Sequence, residues 1–194
     1  MLDEHDIIYR TFCDFEPENE MAWTLIESFA YSNNQLFRKK AFYVDSPINQ
    51  NNFNWLSFRL YRGRMYELAK FSTHFRASCN TSPYNSTNYT DYVVGKLSEL
   101  NLFTMRGRQC FTAEYLSVAG TNCSNCGFMV YQSAGGAAHP HIDCYQSTLN
   151  CNAPVLIEGC TSRGEDIFGM YGRLLPEHGC SSSQYAINKW WFGS

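Results

Sequence analysis

The chain has 194 residues and a mass of 22.3 kDa, enough for one compact domain with a substantial core and cramped for two. Its hydrophobic share is 44%, its aromatic share 16% and its charged share 17%, so it has ample core-forming material and a surface of Asn, Ser, Thr and Tyr rather than ion pairs, which excludes a disordered chain. A net charge of −3, short basic patches at Arg38-Lys39-Lys40 and Arg59 to Arg64, and no apolar run near the roughly 18 residues of a membrane span argue against nucleic-acid binding and against a span in this chain.

The first ten residues, MLDEHDIIYR, are acidic where a signal peptide would be basic and then apolar. Trp23, Leu25, Phe29 and Tyr31 alternate with Thr24, Ser28 and Ala30, which predicts a strand over Ala22 to Tyr31. Glu27 is out of place on its apolar face. Met65, Leu68, Phe71 or Ser72, and Phe75 recur at helical spacing and predict a helix from Arg64 to Phe75. Asp91, Val94, Leu97 and Leu100 predict a second short helix capped by Asp91. Cys110 to Val118 alternates as a strand, and Gly127 to Ser133 follows as another. From Ser133 onward the chain is rich in Gly, Cys and Ser, the composition of long cross-linked loops around short strands. In the terminal NKWWFGS, a strand would turn one of Trp190 and Trp191 inward and the other outward. The expectation is one α+β domain over residues 1–194, disulfide-rich, with a mixed or antiparallel sheet, short helices and a loop-rich C-terminal half.

Nine cysteines, seven of them between Cys110 and Cys180, read as disulfides formed in an oxidising compartment. Glycosylation sequons begin at Asn80, Asn85, Asn88 and Asn122 and suit a secreted glycoprotein. An odd count leaves one sulfur free, intermolecular, or bonded to something outside the chain. Together with the missing export signal, this points to a domain excised from a larger secreted or surface protein.

Cys123, Cys126, His139, His141 and Cys144 could in principle surround a tetrahedral zinc, but so many neighbouring cysteines favour paired disulfides and two exposed loop histidines. A thioredoxin-type role for Cys123-Ser124-Asn125-Cys126 would need a helix after the first cysteine, and the β-like GFMVYQ follows instead. No Gly-x-Ser-x-Gly elbow occurs, so a Ser-His-Asp hydrolase has no anchor. Glu165 and Asp166, between Gly164 and Gly169, could offer oxygens to calcium. Trp191, if outward, could hold a sugar ring.

The segment IYRTFCDFEPENEMAWTLIESF, with Tyr9, Phe12, Cys13, Asp14, Trp23, Thr24, Leu25 and Ile26 in order, is similar to the opening of fibrinogen-related domains and intelectins. Asn54-Trp55 with Tyr61, GEDIFGMYG and the closing KWWFG are weaker echoes. The resemblance implies that Cys13 bonds to a cysteine upstream of this chain and is unpaired within it. That leaves Cys79, Cys110, Cys123, Cys126, Cys144, Cys151, Cys160 and Cys180 for internal bridges. The glycines that precede the family's Trp are replaced by Glu20-Met21-Ala22, and HPHIDC offers only Asp143 before Cys144 in place of the family's calcium loop. The resemblance implies a non-catalytic extracellular lectin-like module for glycans or cell-surface ligands. His139, His141, Tyr171 and Trp191 are candidate ligand contacts, and calcium is the candidate cofactor ahead of zinc. Oligomerisation would come from parts outside the domain. A matrix or viral surface domain and an intracellular zinc domain are the alternatives.

Overall fold

The computed structural model describes residues 9–16, 20–80, 90–133, 139–142, 151 and 165–194. Among these residues eleven strands dominate: β1 (Cys13–Glu16), β2 (Met21–Ala30), β3 (Ser57–Arg59), β4 (His74–Asn80), β5 (Asp91–Lys96), β6 (Gly107–Val118), β7 (Thr121–Gln132), β8 (His141–Ile142), β9 (Glu165–Asp166), β10 (Met170–Tyr171) and β11 (Ile187–Gly193). The helices among the described residues are a 3-10 turn at Tyr31–Asn33, α1 (Asn34–Phe37) and α2 (Arg62–Lys70). The α+β expectation is therefore corrected to a mostly β architecture with two short α-helices.

Nine strands join in one antiparallel sheet in the order β1-β2-β11-β4-β5-β6-β7-β8, with β3 beside the far end of β2; β9 and β10 pair separately. The C-terminal strand thus lies between β2 and β4 at the middle of the sheet and closes it last. Both faces of this middle are covered, so β11 is buried along its whole length. Side chains of opposite faces pack into one continuous apolar cluster that includes Trp23, Phe29, Phe58, Phe75, Phe128, Trp190, Trp191 and Phe192. Each such side chain contributes roughly 1.5–3 kcal/mol relative to exposure.

Several expected elements change. The helix predicted over Arg64–Phe75 runs from Arg62 to Lys70, and Phe75 belongs to β4. Residues 91–96 form β5 rather than a helix. Asp91 does not cap its own turn; its carboxylate accepts from the distant amides of Ala119 (3.1 Å) and Gly179 (2.6 Å). Asp91, Val93 and Gly95 alternate inward, a period of two that the three-residue spacing of Asp91, Val94, Leu97 and Leu100 concealed. Gly95 is required there because a Cβ would lie 2.8 Å from the Phe75 ring. The two tryptophans do not divide inside from outside: Trp190 and Trp191 are 2% and 0% exposed, because each meets a covered face.

The strand expected at Ala22–Tyr31 is β2, and a bulge within it explains Glu27. Trp190 pairs with Glu27 while Trp191 pairs with Leu25, which leaves Ile26 as the extra residue. Side chains on either side of the bulge exchange faces, so Glu27 and Phe29 lie on the Trp190 face whereas Trp23 and Leu25 lie on the Trp191 face.

Candidate functional site

Three groups of charged residues sit inside this frame, and the first is centred on Glu27. Arg59 on β3 stands directly across from it in the ladder, and its Nη1 donates to Glu27 Oε2 at 2.6 Å. The same Nη1 donates to the carbonyl of Lys40 (3.0 Å), and Nη2 to those of Ala41 (2.8 Å) and Val44 (3.3 Å). His139 Nε2 makes a short hydrogen bond to Glu27 Oε1, and its Nδ1 lies 2.7 Å from the Pro140 carbonyl oxygen. Both ring nitrogens thus lie within hydrogen-bond reach of an oxygen. Phe29, Phe42 and Trp190 meet the ring edge-on with centroids 5.4, 5.5 and 5.8 Å away. Gly169 lies against the His139 ring and the Pro140 carbonyl, where a Cβ would collide with both.

Burial by itself would raise the Glu27 carboxyl, but the charges and hydrogen bonds of His139 and Arg59 outweigh it and hold it below the ordinary range. Glu27, Arg59 and His139 are all fully buried. Chemically the trio is a clamp between β2, β3 and the segment that leads into β8. A closed clamp of this kind presents no group to an outside substrate.

The second group occupies the opposite face of the same strands. Arg76 on β4 lies between Trp23 and Trp191, 4.7 and 4.8 Å from their rings, and its Nη2 donates to Asp14 Oδ2 of β1 at 2.8 Å. Trp191 Nε1 donates to Ser78 Oγ at 3.1 Å. Lys189, one pleat along β11, holds its ammonium 4.6 Å from the Trp55 ring and has no hydrogen-bond acceptor among the described residues. Burial first, then the nearby Arg76 charge, pushes its pKa down to about 8, with Asp14 opposing.

Trp55 belongs to a loop pinned across this face. Asn49 Nδ2 donates to the Ser57 carbonyl (2.8 Å), Ser28 Oγ to that of Trp55 (2.6 Å), and the Ala30 amide to that of Leu56 (3.0 Å). Phe53 packs edge-on against Trp55 and Phe58, and Phe12 against Trp55 from below. Phe53 and Leu56 remain 36% and 38% exposed, so the loop offers fixed apolar surface to solvent above a buried cationic layer. The third group, Asp91 with Gly179, anchors the C-terminal loop beside the Cys79–Cys180 bond. Burial raises the Asp91 carboxyl, with the two amide hydrogen bonds opposing.

The sequence-derived candidates scatter over these groups. His139 and His141 are buried rather than exposed in a loop; His141 pairs with Tyr131 in the β7–β8 ladder. Tyr171 is buried in β10, 6.5 Å from the Phe29 ring, and Trp191 lies in the sheet's second layer. Glu165 and Asp166 form β9 opposite Tyr171 and Met170; their side chains lie outside the described set. Asn80 is buried at the end of β4, Asn122 is exposed at the start of β7, and Asn85 and Asn88 lie outside the described residues. Arg76 and Lys189 were not singled out by the sequence, while Arg59 stood out only as the start of a basic patch and Asp91 only as a helix cap. The available signal was a charged residue within an otherwise apolar or aromatic strand, which Glu27 had already given.

Cysteine chemistry is resolved in part. Cys79 bonds to Cys180, Cys110 to Cys151, and Cys123 to Cys126; Cys13 is free and exposed. Cys144 and Cys160 lie outside the described residues. Three bonds fit an oxidising compartment. With Cys123 and Cys126 joined to each other, the zinc arrangement that drew on both thiolates is not formed, and no group of three or more metal-ligating side chains occurs among the described residues. Among those residues no helix is long and apolar enough to cross a membrane. No family model, no curated protein and no solved structure matches this chain.

Proposed function

We propose that the protein is an extracellular, non-catalytic recognition module that binds a glycan or a cell-surface ligand through the aromatic loop at residues 53–56. The observation that carries this reading is the pinned loop itself. Phe53 and Leu56 are exposed while the backbone around them is held by hydrogen bonds to β2 and by the ring of Trp55. Surface fixed in advance loses little conformational freedom on binding, and flat apolar rings beside Asn51, Asn52 and Asn54 suit the mixed apolar and hydroxylated faces of a sugar. The disulfides support a location outside the cell, and the fibrinogen-related resemblance supports a binding role by analogy alone. The buried positions of His139, His141, Tyr171 and Trp191 move the proposed contact surface away from them and onto this loop.

A glycan array, run with and without chelator to include a calcium-dependent ligand, tests the reading. Binding is expected to fall about tenfold in Phe53→Ala, roughly 1.4 kcal/mol, measured where the variant is still folded despite its lost packing against Trp55 and Phe58. Silence across the array in both conditions would favour the structural alternative, a domain of a matrix or viral surface protein. One observation already supports that rival: Phe15 and Phe71 are 71% and 78% exposed, at the end of the sheet where β1 and the loop after α2 lie.

A further inference from the structure

The three disulfides among the described residues do different work. Cys79–Cys180 is buried and closes 101 residues, and Cys110–Cys151 closes 41, so each removes much freedom from the unfolded chain. Cys123–Cys126 spans a separation of 3 and constrains the unfolded chain least. Its bond also conflicts with the strand that contains it. Residues three apart on a regular strand point to opposite faces, so Cys123 and Cys126 reach each other only if the backbone between them leaves the extended form. Asn125 does so, with φ at +53°. The β6–β7 ladder otherwise holds one register from Gly107↔Gln132 to Val118↔Thr121, and the pair that is missing is Glu114 with Asn125. Disulfide and ladder therefore compete for the same residue.

We infer that Cys123–Cys126 is a reversible thiol–disulfide exchange site, the target of an external thiol or dithiol reductant, and that its opening leaves the fold intact. Ser124 and Asn125 are exposed, Cys123 is half-buried and Cys126 buried, and among the described residues no strand covers the edge of β7 away from β6 along positions 121–129. An attacking thiolate forms a mixed disulfide with one sulfur and expels the other as a thiolate, which takes up a proton. A second thiol then releases the first, so two R–SH become R–S–S–R while the protein gains two thiols. Among the described residues no helix N-terminus stands at either cysteine to favour its thiolate, which makes the pair a recipient of exchange rather than an oxidant of other proteins. In the reduced state Asn125 is free to return to extended backbone and complete the ladder opposite Glu114. The two thiols stay on one strand with Cα atoms about 6.2 Å apart in the bonded form, so re-oxidation is intramolecular.

The test exposes the native protein, with Cys13 first blocked, to increasing dithiothreitol and traps thiols by mass-tagged alkylation at intervals. Cys123 and Cys126 are expected to be labelled at least about tenfold sooner than Cys79, Cys180, Cys110 and Cys151, with the near-ultraviolet circular dichroism unchanged, and to re-close on transfer to oxidised glutathione. Asn125→Gly, which adopts positive φ freely, should slow this opening; Asn125→Val, which resists it, should speed it. Labelling of all six cysteines in one step, earlier labelling of Cys110 and Cys151, loss of the native spectrum when only Cys123 and Cys126 are open, or equal rates in both Asn125 variants would each overturn the inference. The Cys123→Ser/Cys126→Ser double variant should fold; its failure to fold would make the bond structural and overturn the inference as well.

Discussion

The two faces of strands β2, β11 and β4 bury charge in opposite ways. On the Trp190 face, Glu27 meets Arg59 and His139 through a hydrogen bond at each of its carboxylate oxygens. On the Trp191 face, the cations Arg76 and Lys189 lie against indole rings, with the carboxylate of Asp14 reaching Arg76 from the edge strand. The first arrangement is directional and fails when any partner is removed. The second rests on ring surfaces that remain when a cation is removed. One sheet can hold both because the bulge at Ile26 lets consecutive odd positions of β2 serve different faces.

The largest expected effect is Arg59→Leu. It leaves the Glu27 carboxylate buried with one partner fewer and strips donors from the carbonyls of Lys40, Ala41 and Val44. A loss of about 3–5 kcal/mol in urea unfolding is expected, a large fraction of an ordinary domain's stability. A loss under about 1 kcal/mol would mean the clamp is no stronger than a surface pair, and the contrast between faces would collapse.

Lys189→Met should act with the opposite sign. The pKa of Lys189 is about 8 in the folded protein against 10.5 for the free side chain, so the folded state gives up its proton first. Between those values the unfolded chain binds more protons, and stability rises as pH increases through the window. At neutral pH the buried ammonium therefore costs stability, on the order of 3 kcal/mol at most from a shift of that size. Its contact with Trp55 offsets roughly 1 kcal/mol. Replacement by Met should raise the urea midpoint at pH 7.5 and abolish its increase between pH 8 and 10, measured with Cys13 alkylated to prevent exchange. A fall in midpoint would show that Lys189 has an acceptor in the folded protein.

How far the sequence revealed all this depends on the range over which each signal acts. Alternation within ten residues was enough to place β2 and β6, and the spacing of Met65 and Leu68 was enough to place α2. The nature of β5 was not legible, because Asp91 resembles a helix cap until Gly179, 88 residues away, is seen to donate to it. Likewise the misfit of Glu27 was visible, but its explanation required His139, 112 residues distant, and a bulge that shows only in the pairing of β2 with β11. Both tryptophans of KWWFGS are buried because β11 closes the middle of a sheet covered on two sides, a fact of tertiary arrangement rather than of strand periodicity. Cysteine density indicated that disulfides form, whereas which sulfurs pair is set by the fold.

Acid should separate two carboxylates by a smaller margin. Glu27 is held below the ordinary value of 4.5, so its contribution is present above that pH and is lost as pH falls through its folded value. Asp91 is raised above 3.8, so the folded state keeps a proton that the unfolded chain has released, and its contribution declines as pH rises through that interval. Urea midpoints from pH 6 to 2.5 should therefore fall less steeply in Glu27→Gln and more steeply in Asp91→Asn than in the parent, whatever the offset of each variant at neutral pH. Parallel curves for all three would mean that neither group titrates differently on folding.

The smallest effect, and the finest probe of the Trp191 face, is Asp14→Asn. Asp14 is 11% exposed and its charge acts on two cations at once, donating nothing but accepting from Arg76 and favouring the charged form of Lys189. If ring contacts carry that face, Arg76 keeps Trp23 and Trp191 and the loss is about 1 kcal/mol, near the upper end for an exposed pair. The same substitution removes the one influence that raises the Lys189 pKa, so the alkaline rise in stability should begin below pH 8 in Asp14→Asn. A loss approaching that of Arg59→Leu, with the alkaline rise unmoved, would make Asp14–Arg76 a second directional clamp, and the two faces would then differ in composition rather than in the way they hold charge.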